Sequence, residues 1–244
     1  MRDAFLFAAK WPSSSSMRPL ARFAILATTV TVLATSAPVD AGHRSRGLVA
    51  HFPLLDRLEV LVRSRDVLAI DGRFGGAVVR ERLAPREEVL WAGARGAVGV
   101  VVTDRRVLAA TVGSSRWSET DIRVHESLPS AVYLGDRVAL VLTDRRVIGI
   151  AAMARRRFFE DELGVNETLV DVLVGENVAL VLTDRRALGL SGFLSGFFEQ
   201  AVSLHERIDD IAALADFATV ATHRRLLVFN APSGSWQERR LSLR

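Results

Sequence analysis

The sequence predicts an all-β protein, and three observations carry that prediction. The first is a repeat: Leu140-Val-Leu-Thr-Asp-Arg-Arg146 returns verbatim as Leu180-Val-Leu-Thr-Asp-Arg-Arg186. Around it, Thr103-Asp-Arg-Arg106, Thr143-Asp-Arg-Arg146 and Thr183-Asp-Arg-Arg186 are spaced by 40 and 40 residues, and Thr222-His-Arg-Arg225 follows 39 later. The second is the run on either side of each Thr-Asp-Arg-Arg, apolar at consecutive positions, which reads as a hairpin buried on both faces. The third is proline at unit boundaries, Pro85 and Pro129, where a helix interior would lose ~3 kcal/mol. A period near 40 with four short strands per unit and no core within a unit predicts a single five-bladed β-propeller of four-stranded antiparallel blades.

The chain begins with a targeting pattern. Arg18 and Arg22 precede an apolar run from Phe23 to Ala34, and Val39-Asp-Ala41 suits a signal peptidase. The run is shorter than the ~20 residues that span a bilayer. We therefore expect residues 1–41 to be a signal-peptide region and the product to be periplasmic or secreted, with an uncleaved N-terminal anchor as the alternative. Met17 opens a more orthodox leader than Met1, so 1–16 reads as a start-site artefact.

Of 32 Lys+Arg the one lysine is Lys10, so every later cation is arginine. Without 1–41 the chain keeps 28 cations against 26 anions, a balance that gives nucleic-acid binding no support. The absence of cysteine excludes disulfides, thiolate metal sites and a lipoprotein anchor.

Residues 42–244 then divide into units of about 47–86, 87–126, 127–167, 168–206 and 207–244. The first is degenerate, with Arg63-Ser-Arg-Asp66 in the Thr-Asp-Arg-Arg place. In the fourth, strands are expected at Val170 to Val174, Val178 to Thr183, Ala187 to Leu190 and Phe198 to Leu204. Each unit carries an aromatic, one residue, then Glu: Trp117 and Glu119, Phe158 and Glu160, Phe197 and Glu199, Trp236 and Glu238. Apolar residues three and five past that Glu, such as Leu163 and Val165, extend the outer strand by alternation. Phe198 to Ala215 has near-helical apolar spacing, yet its equivalents contain the two prolines, so strand is expected there too.

In period and strand count the chain resembles β-propeller repeats in general. It lacks the Trp-Asp ending of WD40 repeats and the Gly-rich hairpin of quinoprotein-like blades, so no family's ligand residues carry over. Glu87-Glu-Val-Leu-Trp-Ala-Gly93 with Val101-Val-Thr-Asp-Arg-Arg-Val-Leu108 resembles the opening of bacterial PH-like domains. That resemblance implies a membrane-surface module of about 100 residues closed by an amphipathic helix, and it is the second fold expectation.

For function, the arginines at the hairpin tips stand out: Arg105, Arg106, Arg145, Arg146, Arg185, Arg186, Arg224 and Arg225. If the tips share one face, their guanidinium forks suit phosphate, sulfate or carboxylate groups. The partner expected is an unknown protein or an anionic cell-envelope ligand. The competing reading is a solvated turn in which Asp104, Asp144 or Asp184 caps its own backbone. His125 and His205 occupy matched positions, each followed by Glu (Glu126, Glu206), with Asn166-Glu167 between them; two histidines suit a metal, but no third completes the set, so a hydrogen bond at the blade connection is expected. A propeller glycoside hydrolase or lactonase is the enzymatic alternative, but Glu119, Glu160, Glu199 and Glu238 recur once per unit, whereas catalytic carboxylates break a repeat. The sequence thus predicts no catalytic residue, no metal and no cofactor: an exported, non-enzymatic binding or scaffolding module.

Overall fold

The computed structural model describes Ala8–Lys10 and residues 58–241 apart from Arg155 and Leu204. The expected signal-peptide region, residues 1–41, lies outside the described residues except for β1 (Ala8–Lys10), which pairs antiparallel with β9. The rest of the described chain is five antiparallel sheets, each made of consecutive strands. The first blade holds β2 (Leu58–Arg63), β3 (Asp66–Asp71) and β4 (Ala77–Arg82). The second holds β5 (Val89–Arg95), β6 (Val98–Thr103), β7 (Arg106–Thr111) and β8 (Ser118–Asp121). The third holds β9 (Ala131–Leu134), β10 (Val138–Leu142), β11 (Arg146–Ala151) and β12 (Phe158–Glu162). The fourth holds β13 (Leu169–Val174), β14 (Val178–Thr183), β15 (Arg186–Ser191) and β16 (Phe197–Ala201). The fifth holds β17 (Ile208–Ala213), β18 (Phe217–Thr222), β19 (Arg225–Asn230) and β20 (Ser235–Arg240). The protein is an all-β, five-bladed β-propeller.

Apolar residues on both faces of the central strands follow from how the blades stack. In β10, Val138, Leu140 and Leu142 face the fourth blade while Ala139 and Val141 face the second. β14 repeats this, with Val178, Leu180 and Leu182 toward the fifth blade and Ala179 and Val181 toward the third. A strand buried on both faces cannot alternate polar with apolar, so each blade is a layer shared by two cores. Four such cores link the five blades in chain order. Glycine marks the closest approaches: a Cβ on Gly149 would lie 2.7 Å from the Phe197 ring, and one on Gly189 would lie 2.6 Å from that of Phe229.

The segment with near-helical spacing resolves as β16, a turn and β17, which is the strand solution shared by its equivalents. The PH-like expectation fails here. Glu87 to Leu108 forms part of one blade, and the one helix among the described residues is a 3-10 turn at Gly72–Phe74. The outer strands also end sooner than alternation predicted, β16 at Ala201 and not Leu204. Val165 is 87% and Val124 84% exposed, because both sit in tight turns between blades.

Candidate functional site

The hairpin tips and the turns between blades meet along one edge of the propeller. Four residues form each inter-blade turn: Ala84 to Glu87, Arg123 to Glu126, Gly164 to Glu167 and Ser203 to Glu206. In each, the Glu amide donates to the carbonyl of the first residue, and the Glu carboxylate accepts from that residue's amide. The third residue takes a left-handed backbone at Arg86, His125 and Asn166, with φ between 61° and 74°. Asparagine tolerates that region best among non-glycine residues, and histidine is enriched there.

The carboxylate so placed is the partner of the second arginine of the following tip. Arg106 meets Glu87, Arg146 meets Glu126, Arg186 meets Glu167 and Arg225 meets Glu206, with Nε to Oε1 distances of 2.8 to 2.9 Å. A second guanidinium nitrogen closes each bidentate fork. The same arginine pairs with the outer-strand carboxylate of its own blade: Glu119, Glu160, Glu199 or Glu238. It also donates backward to a carbonyl of the preceding blade, at Arg82, Asp121, Glu162 or Ala201. One guanidinium therefore clasps two blades and the turn between them. Arg146 is enclosed, its side chain 2% exposed against 1% for Glu126.

The electrostatics follow from this geometry. Burial pushes the Glu167 carboxyl up, but Arg186, the Gly164 amide and the Thr183 hydroxyl together pull it down to about 2. For Glu206 the Arg225 hydrogen bond leads, and the result is also about 2. Glu87, Glu126 and Glu160 are lowered despite burial, and Arg106, Arg186 and Arg225 are raised chiefly by hydrogen bonding to their inter-blade Glu. These groups stay charged at any physiological pH and have no proton to exchange in a reaction.

The eight predicted arginines thus separate into two sets. Arg106, Arg146, Arg186 and Arg225 are turned into the clasps. Arg105, Arg145, Arg185 and Arg224 are exposed on the same edge, where Arg185 donates to the Asn166 carbonyl and Arg224 Nε lies 3.0 Å from His223 Nε2. The capping expectation needs correction in detail. Asp104, Asp144 and Asp184 accept from the amides of Glu88, Ser127 and Thr168 in the neighbouring inter-blade turn, while the tip is held by its threonine hydroxyl. His223 does the work of those aspartates, its Nδ1 accepting from the Arg207 amide. His125 and His205 lie exposed in their turns, and the described residues contain no cluster of three groups able to hold a metal.

The sequence marked the glutamate after each matched His or Asn as a point of hydrogen bonding between blades, but it did not pair that glutamate with its arginine. The spacing was present: Glu87, Glu126, Glu167 and Glu206 precede the second tip arginine by 19 or 20 residues in four of the five units. The aromatic of each outer strand packs between blades as expected. Trp117 Nε1 donates to Val79 O at 3.1 Å and Trp236 Nε1 to Phe198 O at 2.8 Å, each reaching the preceding blade.

No family model and no curated protein sequence matches the chain. Among solved structures it is similar to yeast RCC1 (Prp20) bound to Kap60, at 9% identity and TM-score 0.35, covering 70% of this chain and 53% of that one. It is likewise similar to apo AztD from Citrobacter koseri, at 12% identity and TM-score 0.34, covering 76% and 60%. For BamB from Moraxella catarrhalis the figures are 17% identity, TM-score 0.30, and 78% and 62% coverage. The chain spans roughly half to three-fifths of the length of these chains. The fold assignment rests on the sheets and shared cores described above.

Proposed function

We propose that this chain is a non-enzymatic binding or scaffolding module, exported to the cell envelope, that meets an anionic ligand along the edge formed by its hairpin tips. The observation that carries this reading is the division of the arginine pairs. One member of each pair is consumed by a clasp, while Arg105, Arg145, Arg185 and Arg224 repeat once per blade on the same edge, exposed. The aspartates of those tips accept from backbone amides of the adjoining chain, and Asp104 also lies 3.8 Å from Arg105. Beside Arg145 and Arg185, Val124 and Val165 are 84% and 87% exposed, an apolar element next to two of the four cations. An extended anion with apolar stretches, a polysaccharide or a lipid headgroup layer, matches that alternation of chemistry.

The test follows from the division. Full-length protein is titrated with an acidic polysaccharide and, separately, with vesicles containing an anionic phospholipid, at low and at 0.5 M salt. The expected result is salt-sensitive binding to one of the two that falls at least about tenfold, or ~1.4 kcal/mol, in the Arg145→Ser, Arg185→Ser, Arg224→Ser triple variant. Unchanged binding in that variant, or none by the parent protein, overturns the reading.

A further inference from the structure

The four blade junctions are built to one plan, and the two free faces of the array depart from it in ways that compensate each other. In two of the four junctions a carboxylate of the earlier blade's outer strand faces the clasp arginine of the next blade: Glu81 faces Arg106 and Asp161 faces Arg186. The strand registers place Arg239 at that same position on the fifth blade and Asp66 at the clasp position on the first. The charges are exchanged. Asp66 accepts from Arg80 at 2.7 Å, and its Oδ1 has no hydrogen-bond partner. Arg239 is exposed at the far end of the array.

Side-chain size is exchanged in the same way. In the third junction the small residue of the earlier blade, Gly149, receives the aromatic Phe197 of the later one. At the free ends the matching residues are Val228 on the fifth blade and Val78 on the first. One end has gained the volume that the other has lost, so the pair still fills one space. Around Val78, which is 55% exposed, lie Leu61, Leu68 and Ile70, and Leu61 is 43% exposed. The residues matching Leu68 and Ile70 in the third blade, Ile148 and Ile150, are 0% exposed.

We propose that the outward face of the fifth blade docks on the outward face of the first blade of a second copy of this chain, making a fifth blade junction between molecules. Among the described residues, the four cores cover neither of these faces. Exchanged charge and exchanged volume make the two faces fit each other, and each fits an ordinary junction less well. Such an interface is heterologous, head to tail, so association propagates unless the rotation closes a ring.

Light scattering coupled to size exclusion, run on the full chain across a concentration series, tests this. The expected mass rises with concentration. Leu68→Arg and Val228→Arg each abolish the rise, yet an equimolar mixture of the two yields dimers and nothing larger, because each retains the face the other has lost. Asp66→Arg and Arg239→Asp each weaken association by about tenfold or more, and the double variant regains it. If Leu68→Arg or Val228→Arg misfolds by circular dichroism, Leu61→Arg and Thr219→Arg on the same faces replace them. A parent protein that stays monomeric throughout overturns the proposal, as closure within one chain would produce. So does a mixture of the two arginine variants that stays monomeric.

Discussion

The second to fourth blades and the two outer blades repeat the same central hairpin and outer strand, the first blade showing three strands among the described residues against four in the others, yet they are stabilised differently. In the middle, β10 and β14 are buried along their whole length, and Arg146 closes a junction from which water is excluded. In β3 every second residue is buried, and in β18 the same holds. The first blade has the weakest clasp of all: Asp66 and Arg80, the inverted pair, have side chains 29% and 63% exposed. The comparison shows that burial on both faces is a property of position in the stack, and that the charged clasp matters where the stack makes it dry.

Breaking the clasp gives the largest expected contrast. Arg146→Ala leaves Glu126 and Glu160 facing a buried space without their cation and is expected to cost about 3–5 kcal/mol. Asp66→Ala at the matching position of the first blade should cost under ~1 kcal/mol. Urea denaturation of both variants measures the difference, and equal losses would mean that burial does not govern the clasp.

Core truncation comes next. Ile148→Ala in the third blade should lose roughly 2–5 kcal/mol through the lost contacts and the cavity, while Leu68→Ala, its counterpart on the open face of the first blade, should lose about 1 kcal/mol. A Leu68→Ala loss as large as that of Ile148→Ala would show that the first blade's outward face is covered in the folded protein.

The smallest effect is the pH dependence of the clasps. Glu167 and Glu206 are held at about 2 in the folded protein, below their unfolded values. Between pH ~4.5 and 2 the unfolded chain therefore binds more protons, so stability is complete above that window and falls as pH drops through it. Each clasp should contribute of the order of 2 kcal/mol to the slope. In thermal melts from pH 6 down to 2, the Glu167→Gln, Glu206→Gln double variant should start less stable and lose less. A parallel decline would assign the acid sensitivity elsewhere.

Much of this was legible in the residues. The 40-residue spacing, the two-sided apolar strands and the prolines pointed to stacked four-stranded units, and the recurring aromatic pointed to packing between them. The clasp was harder to read because its members lie far apart in the chain and only register brings them together. Glu126 looked like a neighbour of His125 until Arg146 was seen to close on it. The two tip arginines also read alike in sequence. Which one turns inward depends on the threonine, whose hydroxyl accepts from both arginine amides and sets the direction of the tip.

By itself, then, the sequence determined the order of the strands and their number in the second to fifth blades, because a repeat that cannot bury its apolar faces alone must stack on its own copies; in the first blade three are seen among the described residues. It also marked the ends of the stack, by placing Asp66 where the other units have arginine and Arg239 where two of them have a carboxylate. Tertiary structure alone decided which arginine of each pair serves the fold and which stays exposed. It also decided that the first and fifth blades keep one open face each. Charge pairing and burial are properties of positions in space, and the spacing along the chain fixes them only after the blades have stacked.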